Sequence, residues 1–259
     1  MRMIRNSRRS SFSGPFAAVL LLLATLPGSA ADTDLLPALR RGVAERTAES
    51  DSIPPDRRAA LEKISGWIRQ RMDAGKPAAL MFICTHNSRR SQLAQVWAQT
   101  AATYFGLKGV TTYSGGVEVT ACNPRTVAAL VRAGFAVTNT APQSQNPVYH
   151  VEYSATAPAV ELFSKTYSAP TNPQSDFAAI MTCDHADQDC PRVKGCAMRA
   201  PLHYEDPKVA DGSPIESETY DLRSRQIARE MFFVMQQVRS PRERTRIGAA
   251  GAESNGKTE

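Results

Sequence analysis

The sequence predicts an α/β fold in which helices cover both faces of a parallel β-sheet. Apolar runs typical of buried strands occupy residues 78–83, 110–114 and 177–182. Helical spacing of apolar residues occupies residues 91–105 and 218–238, and Asn123-Pro124 begins a further helix that ends at Gly134. Strands that alternate with helices favour a parallel sheet with right-handed crossovers.

Composition places the chain among ordinary globular proteins. Of its 259 residues, 42% are hydrophobic and 22% are charged, which excludes a fully disordered or fibrous chain. The formal charge is +6, but Arg2, Arg5, Arg8 and Arg9 carry four of these charges, which leaves about +2 for the remainder. The basic charge therefore belongs mostly to the N-terminus, and we expect no nucleic-acid partner.

The N-terminus has the pattern of a secretory signal. A basic stretch precedes an apolar run at residues 16–26, which is too short to span a bilayer, and small residues follow it up to Ala31. We therefore expect residues 1–31 to be a signal peptide and the mature protein to be periplasmic or secreted, without stable membrane insertion after cleavage. An uncleaved N-terminal anchor is the alternative.

The rest of the chain divides into an extension, a main domain and a tail. Residues 32–76 are expected to form a helical extension, because apolar positions from Leu61 to Met72 follow a helical period. Residues 77–238 form the main domain, in which residues 142–175 contain five prolines and are expected to be an insertion or a lid. Residues 239–259 lack an apolar period and are expected to be disordered.

Chemistry is expected where the first strand ends. Cys84 follows the apolar run, and Arg90 comes six residues later at the start of a helix. The loop between them can turn its N–H groups inward, and the helix N-terminus adds positive potential. This pattern predicts a cradle for a tetrahedral oxyanion, with Cys84 as thiolate nucleophile, Arg90 as a two-pronged anion ligand and Ser91 as hydrogen-bond donor to the thiolate. The residues expected to surround the oxyanion are Thr85, His86, Asn87, Ser88 and Arg89. A buried, inert cysteine is the alternative.

Residues 82–94, FICTHNSRRSQLA, resemble the phosphate-binding loop of the low-molecular-weight protein tyrosine phosphatase family, which includes the thioredoxin-coupled arsenate reductases. The resemblance covers residues 77–238, and the last motif that carries it is Asp206-Pro207. It implies a doubly wound sheet of four parallel strands, with Cys84 as nucleophile, Arg90 as oxyanion ligand and Asp206 as general acid. His86 stands where the family usually has glycine, which implies a narrower loop.

A second pair of cysteines favours the reductase branch. Cys183 and Cys190 follow the third predicted strand and resemble the redox loop of the arsenate reductases, in which the first cysteine attacks the arsenylated nucleophile and the second resolves the disulfide. Lys208 stands where phosphatases usually place an aromatic residue after Asp-Pro. A structural disulfide is one alternative for this pair. A zinc site is another, formed by Cys183, His185, Cys190, Cys196 and His203.

The resemblance therefore implies an enzyme that reduces arsenate to arsenite with a cysteine relay. The alternatives are a phosphatase that hydrolyses phosphate monoesters through a phosphocysteine, and an inactive anion- or partner-binding module. No cofactor or resident metal is expected. The expected partners are a small oxyanion or phosphate monoester and, for a reductase, an external dithiol such as a thioredoxin-like protein. An oxidising periplasm supplies such a dithiol poorly, which conflicts with the predicted signal peptide.

Overall fold

The computed structural model describes residues 34–190 and 192–239. The predicted signal peptide at residues 1–31 and residues 240–259 of the predicted tail lie outside these ranges. Within the described ranges, no helix is both long enough and apolar enough to cross a membrane.

The main sheet confirms the predicted fold class. Its four strands are β1 (Ala78–Cys84), β2 (Val110–Gly116), β6 (Phe177–Met181) and β7 (Cys196–Pro201). They lie in the order β2-β1-β6-β7, and every neighbouring pair is parallel. The first three are the apolar runs that the sequence marks as strands. Because parallel strands share a direction, their carboxyl ends meet at one edge of the sheet.

Six α-helices accompany the sheet in the described residues. They are α1 (Pro37–Ala48), α2 (Pro55–Asp73), α3 (Arg90–Tyr104), α4 (Pro124–Arg132), α5 (Asp184–Asp189) and α6 (Glu216–Val238). The helices α1 and α2 belong to the N-terminal extension.

Alternate residues of β1 face two separate parts of the core. Leu80 and Phe82 belong to the larger apolar cluster, which also contains buried residues of α1, α2, α3 and α6. Met81 and Ile83 face the opposite side and pack with residues in and around α5. Both faces of β1 are thus covered, as expected for a strand that is apolar throughout.

A second, antiparallel sheet has three strands in the order β3-β4-β5. These are β3 (Ala136–Asn139), β4 (Tyr149–Glu152) and β5 (Val160–Leu162). The segment of residues 142–175 thus contributes two strands, and its later part continues as loop against the carboxyl ends of β1 and β2. Lys165 O accepts from the N–H of Gly116 at the end of β2 over 2.8 Å.

Candidate active site

Cys84 ends β1, and residues 85–89 form the loop that leads into α3. Cys84 is 3% exposed, and its Sγ lies 3.1 Å from the Oγ of Ser91 in the first turn of α3. Asn87 Nδ2 donates to the same oxygen over 2.9 Å, so the proton of the Ser91 hydroxyl is free to point at the sulfur. The Ser91 hydroxyl is therefore placed to donate a hydrogen bond to the Cys84 sulfur.

The loop's backbone N–H groups have the arrangement of an anion cradle. Across residues 34–190 and 192–239, the N–H groups of residues 85–89 donate to no backbone carbonyl. Buried backbone donors without an acceptor are rare in folded proteins. A curled loop that leads into a helix N-terminus presents such donors to a bound anion. A tetrahedral oxyanion bound here would supply the acceptors that these N–H groups lack.

Asn87 holds the loop in shape from inside. It has a φ of 45°, in the left-handed region that asparagine tolerates better than most residues, and it is fully buried. Its Oδ1 accepts from the backbone N–H of Lys165 over 3.0 Å, and its carbonyl accepts from Gln92 Nε2 over 2.8 Å. Gly116 at the end of β2 passes close beside it, because a Cβ there would lie 2.7 Å from the backbone N of Asn87. The loop therefore depends on contacts with β2 and with the segment after β5.

Arg90 and Asp206 meet at the mouth of the loop. Arg90 Nη2 donates to Asp206 Oδ2 over 2.8 Å, and Nη1 donates to the carbonyl of Tyr204 over 3.1 Å. Asp206 also caps the 3₁₀ turn Pro207–Ala210, with its Oδ1 accepting from the N–H of Lys208 over 3.1 Å. The structure thus brings together two residues 116 positions apart that the resemblance assigns to anion binding and proton donation.

The side chains of the other loop residues point in different directions. His86 is directed outward, with Nε2 3.3 Å from a Glu118 carboxylate oxygen. Ser88 Oγ donates to the carbonyl of Ala121 over 2.6 Å. Arg89 donates from Nε to the Tyr220 hydroxyl over 2.7 Å. These three residues can serve an oxyanion through their backbone N–H groups, while their side chains bind the surrounding protein.

Cys183 lies beside the loop. It caps α5, its Sγ accepting from the N–H of Ala186 at 3.5 Å, and the same sulfur lies 3.5 Å from Thr85 Oγ1. Cys84, Cys183 and Cys190 belong to one buried apolar cluster. Cys84 and the pair formed by Cys183 and Cys190, which is distant from it in sequence, therefore share one face of the sheet at its carboxyl edge.

Tyr167 is a contact of Cys190 that the sequence did not indicate. Burial raises the pKa of the Cys190 thiol, and a hydrogen bond with the Tyr167 hydroxyl opposes part of this rise. The backbone of Tyr167 is fixed to the end of β2, since its N–H donates to the carbonyl of Gly116 over 2.9 Å. By contrast, Cys122 lies in the other apolar cluster, and burial raises its pKa to about 12, which disfavours thiolate chemistry there.

The second cysteine pair is unbridged in the structure, and the histidines near it contact carboxylates. Cys183 and Cys190 are free thiols. His185 Nδ1 lies 2.8 Å from Asp189, and His203 Nε2 lies 3.0 Å from Asp187, so each imidazole already has a carboxylate partner. Within the part of the chain that the structure describes, no three His, Cys, Asp or Glu residues are grouped to hold a metal ion.

A cleft of about 350 Å³ opens beside the loop. Its polar and cationic lining includes His86, Arg89, Asn123 and Lys208, and no Phe, Tyr or Trp from the described residues lines it. A larger cleft of about 830 Å³ lies between α1, α4 and α6, lined by none of the loop residues. Cys84, Arg90 and Asp206 are not among the residues that line the cleft beside the loop.

Comparison with known proteins agrees with this site. Residues 79–151 match the family model for low molecular weight phosphotyrosine protein phosphatase. An arsenate reductase of Bacillus cereus is 25% identical over 147 residues, which cover 56% of this chain and 89% of that protein. An arsenate reductase of Halalkalibacterium halodurans is 26% identical over 137 residues, covering 53% of this chain and 79% of that protein.

Among solved structures, a Drosophila arginine phosphatase aligns with a TM-score of 0.43 and 14% identity, over 62% of this chain and 98% of that one. The residues that match the family model include the loop that carries Cys84 and Arg90. Residues 79–151 are therefore similar to the low-molecular-weight phosphotyrosine protein phosphatase family, and arsenate reductases are among the relatives of the chain.

Proposed function

We propose that this protein reduces arsenate to arsenite through Cys84, Cys183 and Cys190. The observation that carries the proposal is the position of Cys183, whose sulfur lies 3.5 Å from the Thr85 hydroxyl in the loop and which shares a buried cluster with both other cysteines. The curated relatives named arsenate reductase support the same reaction.

In the first step, the Cys84 thiolate attacks arsenic and forms a sulfur–arsenic bond. One arsenate oxygen leaves as water, with Asp206 supplying a proton. Arg90 and the N–H groups of residues 85–89 hold the remaining oxygens, so the charge that develops on them is stabilised where it forms. Before the anion binds, Arg90 is held by Asp206, and arsenate competes with that carboxylate for the guanidinium.

In the second step, the Cys183 thiolate attacks the Cys84 sulfur. The sulfur–arsenic bond breaks, arsenite leaves with its electron pair, and a Cys84–Cys183 disulfide remains. Cys190 then attacks Cys183, which frees Cys84 and moves the disulfide to Cys183 and Cys190. An external dithiol of the thioredoxin class restores both thiols by exchange, so two electrons pass from the dithiol to arsenic in each cycle.

Phosphate monoester hydrolysis is the second candidate, and the Arg90–Asp206 pair favours it equally. The same cradle and acid serve a phosphocysteine intermediate, which water rather than a second thiol would resolve. Lys208, which follows Asp206-Pro207 where phosphatases usually have an aromatic residue, favours a small inorganic anion over an aryl ester.

A parallel assay tests the proposal. The purified protein is incubated with arsenate and dithiothreitol, and separately with p-nitrophenyl phosphate. We expect arsenite release at a rate that Cys84→Ser abolishes and that Cys122→Ala, a matched change of a buried cysteine in the other cluster, leaves near normal. Hydrolysis of the ester without arsenite release would favour the phosphatase, and phosphate binding without either turnover would favour the inactive module.

The reductant depends on where the protein works. If residues 1–31 are cleaved as we expect, the dithiol must be an exported one. Sequencing of the N-terminus of the natively expressed protein tests this, because a mature chain that begins near Ala31 or Asp32 requires export, whereas an intact N-terminus in the cytosol removes the conflict with a cytosolic thioredoxin.

A further inference from the structure

The N-terminal extension reaches the segment that carries the proposed acid. Arg57, in the first turn of α2, donates from Nη1 to the carbonyl of His203 over 2.9 Å. Its Nε and Nη2 both donate to the Glu230 carboxylate of α6, at 3.1 and 2.8 Å. The guanidinium also lies 4.6 Å from the centre of the Tyr204 ring. One side chain of the extension thus binds two consecutive residues of the segment and the helix behind it.

The same segment holds the proposed catalytic groups. The carbonyl of Tyr204 accepts from Arg90 Nη1, and Asp206, two residues later, accepts from Arg90 Nη2. The Tyr204 hydroxyl donates to Glu230 over 2.8 Å, so the side chain of this residue is tied to the carboxylate that Arg57 binds. A chain of hydrogen bonds therefore joins Arg57 to the guanidinium of Arg90 through Glu230 and Tyr204.

The segment also supports the helix between the relay cysteines. His203, whose carbonyl Arg57 holds, places Nε2 3.0 Å from Asp187 in α5, and its Nδ1 contacts Asp184. These two contacts join the segment to the helix that begins after Cys183 and ends before Cys190.

We propose that Arg57 is a positioning residue for catalysis. It holds the segment of residues 203–206 so that Asp206 and Arg90 lie correctly relative to the loop. The proposal rests on the roles given above to Asp206 and Arg90. It assigns a function to the extension, since α2 lies outside residues 79–151, which match the family model.

Burial argues that the contact serves placement more than stability. Glu230 is 1% exposed, and a buried ion pair often contributes little more net stability than apolar residues of the same volume, although removal of one partner alone is costly. The extension is already fixed to the domain by apolar residues of α2, with Leu61, Ile64 and Ile68 at 0 to 1% exposure. What apolar packing does not provide is a directional bond to the backbone at His203.

The ion pair at the other end of α2 provides a control with the same kinds of bond but a more exposed carboxylate. Arg71 binds Asp176 through two bonds of 2.7 and 2.6 Å, and it also donates to the carbonyl of Pro77. Arg57→Met and Arg71→Met each remove an arginine that joins α2 to the domain through one carboxylate and one carbonyl. Only Arg57 contacts the segment that carries Asp206.

The test compares these variants on phenyl phosphate, p-nitrophenyl phosphate and arsenate with dithiothreitol. General acid catalysis is worth about 10²–10⁴-fold, and a poorer leaving group depends on it more. We expect the kcat of Arg57→Met to fall about 10-fold more on phenyl phosphate than on p-nitrophenyl phosphate. On arsenate, whose leaving group is water, we expect kcat to fall about 10-fold or more relative to the wild type. Arg71→Met should keep the wild-type ratio and rate. A loss of folded protein alone would lower all three rates equally.

Glu230→Gln provides a second test in case Arg57→Met does not fold. Its amide oxygen still accepts from the Tyr204 hydroxyl, while the charge on Arg57 loses its partner. We expect a smaller shift in the same direction. An unchanged leaving-group ratio in both variants, or the same change in Arg71→Met, would overturn the role of Arg57 while leaving the proposed function intact. A wild-type protein that turns over none of the three substrates would overturn both.

Discussion

Asn87 is the residue on which the shape of the loop depends most directly. Its side chain accepts from the N–H of Lys165 and donates to Ser91, and its φ of 45° is one that alanine adopts only with strain. Replacement by alanine removes both bonds and keeps the unfavourable backbone. Replacement by glycine removes the same bonds but relieves the backbone. The pair of variants therefore separates the hydrogen bonds from the conformation.

The magnitudes follow from these contacts. A buried N–H left without an acceptor costs about 1–3 kcal/mol. A left-handed conformation costs an ordinary L-residue about 1–2 kcal/mol. We therefore expect Asn87→Ala to lower the free energy of unfolding by about 2–5 kcal/mol. Asn87→Gly should lose about 1 kcal/mol less, because the flexibility of glycine in the unfolded chain cancels part of its advantage.

Urea unfolding of the two variants and the wild type, followed by circular dichroism, measures these differences. Turnover of both variants should fall as well, since Ser91 loses the partner that directs its hydroxyl at Cys84. The reasoning is refuted if Asn87→Ala is as stable as Asn87→Gly, or if both lie within about 0.5 kcal/mol of the wild type, a difference typical of plain surface substitutions.

Three further substitutions test separate parts of the site. Arg90→Lys should lower kcat/KM by about 10²–10³-fold, because a point charge cannot replace two directed bonds to the anion; steady-state kinetics with unchanged circular dichroism checks this, and near-normal turnover would contradict it. Tyr167→Phe should raise the pKa of Cys190 further, because the hydrogen bond that lowers it is lost. The pH profile of arsenate reduction should then shift to higher pH, and a profile equal to that of the wild type would contradict this. Gly116→Ala should displace the loop and cost about 10²-fold in activity, while Gly66→Ala, with open space at its Cβ, should be neutral; equal rates would contradict the close approach.

The sequence was sufficient to predict the elements that flank the loop. An apolar run of strand length followed by helical spacing predicted β1 and α3, and the site had to lie at their junction because ligands bind at the carboxyl ends of parallel strands. The fourth strand, β7, could not be found in this way. Its residues Cys196–Pro201 are mostly half-buried or exposed at an edge of the sheet and include Arg199, so no apolar run marks them.

Contacts between distant parts of the chain account for what else the sequence did not reveal. The sequence places Arg89 among the residues around the oxyanion, but its side chain binds Tyr220, 131 positions away, which no local pattern indicates. Tyr167 contacts Cys190, and Arg57 contacts the segment before Asp206. Both contacts arise because the fold brings the insertion and the extension close to the site. The six-residue helix α5 within the redox segment is too short for periodicity to reveal.

The thiol relay is tested most directly by one turnover of arsenate without added reductant, followed by mass spectrometry of the disulfides. The wild type should release about one arsenite per protein, as two thiols supply two electrons, and should end with a Cys183–Cys190 disulfide. Cys190→Ser should release the same amount and retain a Cys84–Cys183 disulfide, whereas Cys183→Ser should release none. Arsenite released by Cys183→Ser in the normal amount, or a Cys190→Ser protein that releases arsenite without a Cys84–Cys183 disulfide, would contradict the relay.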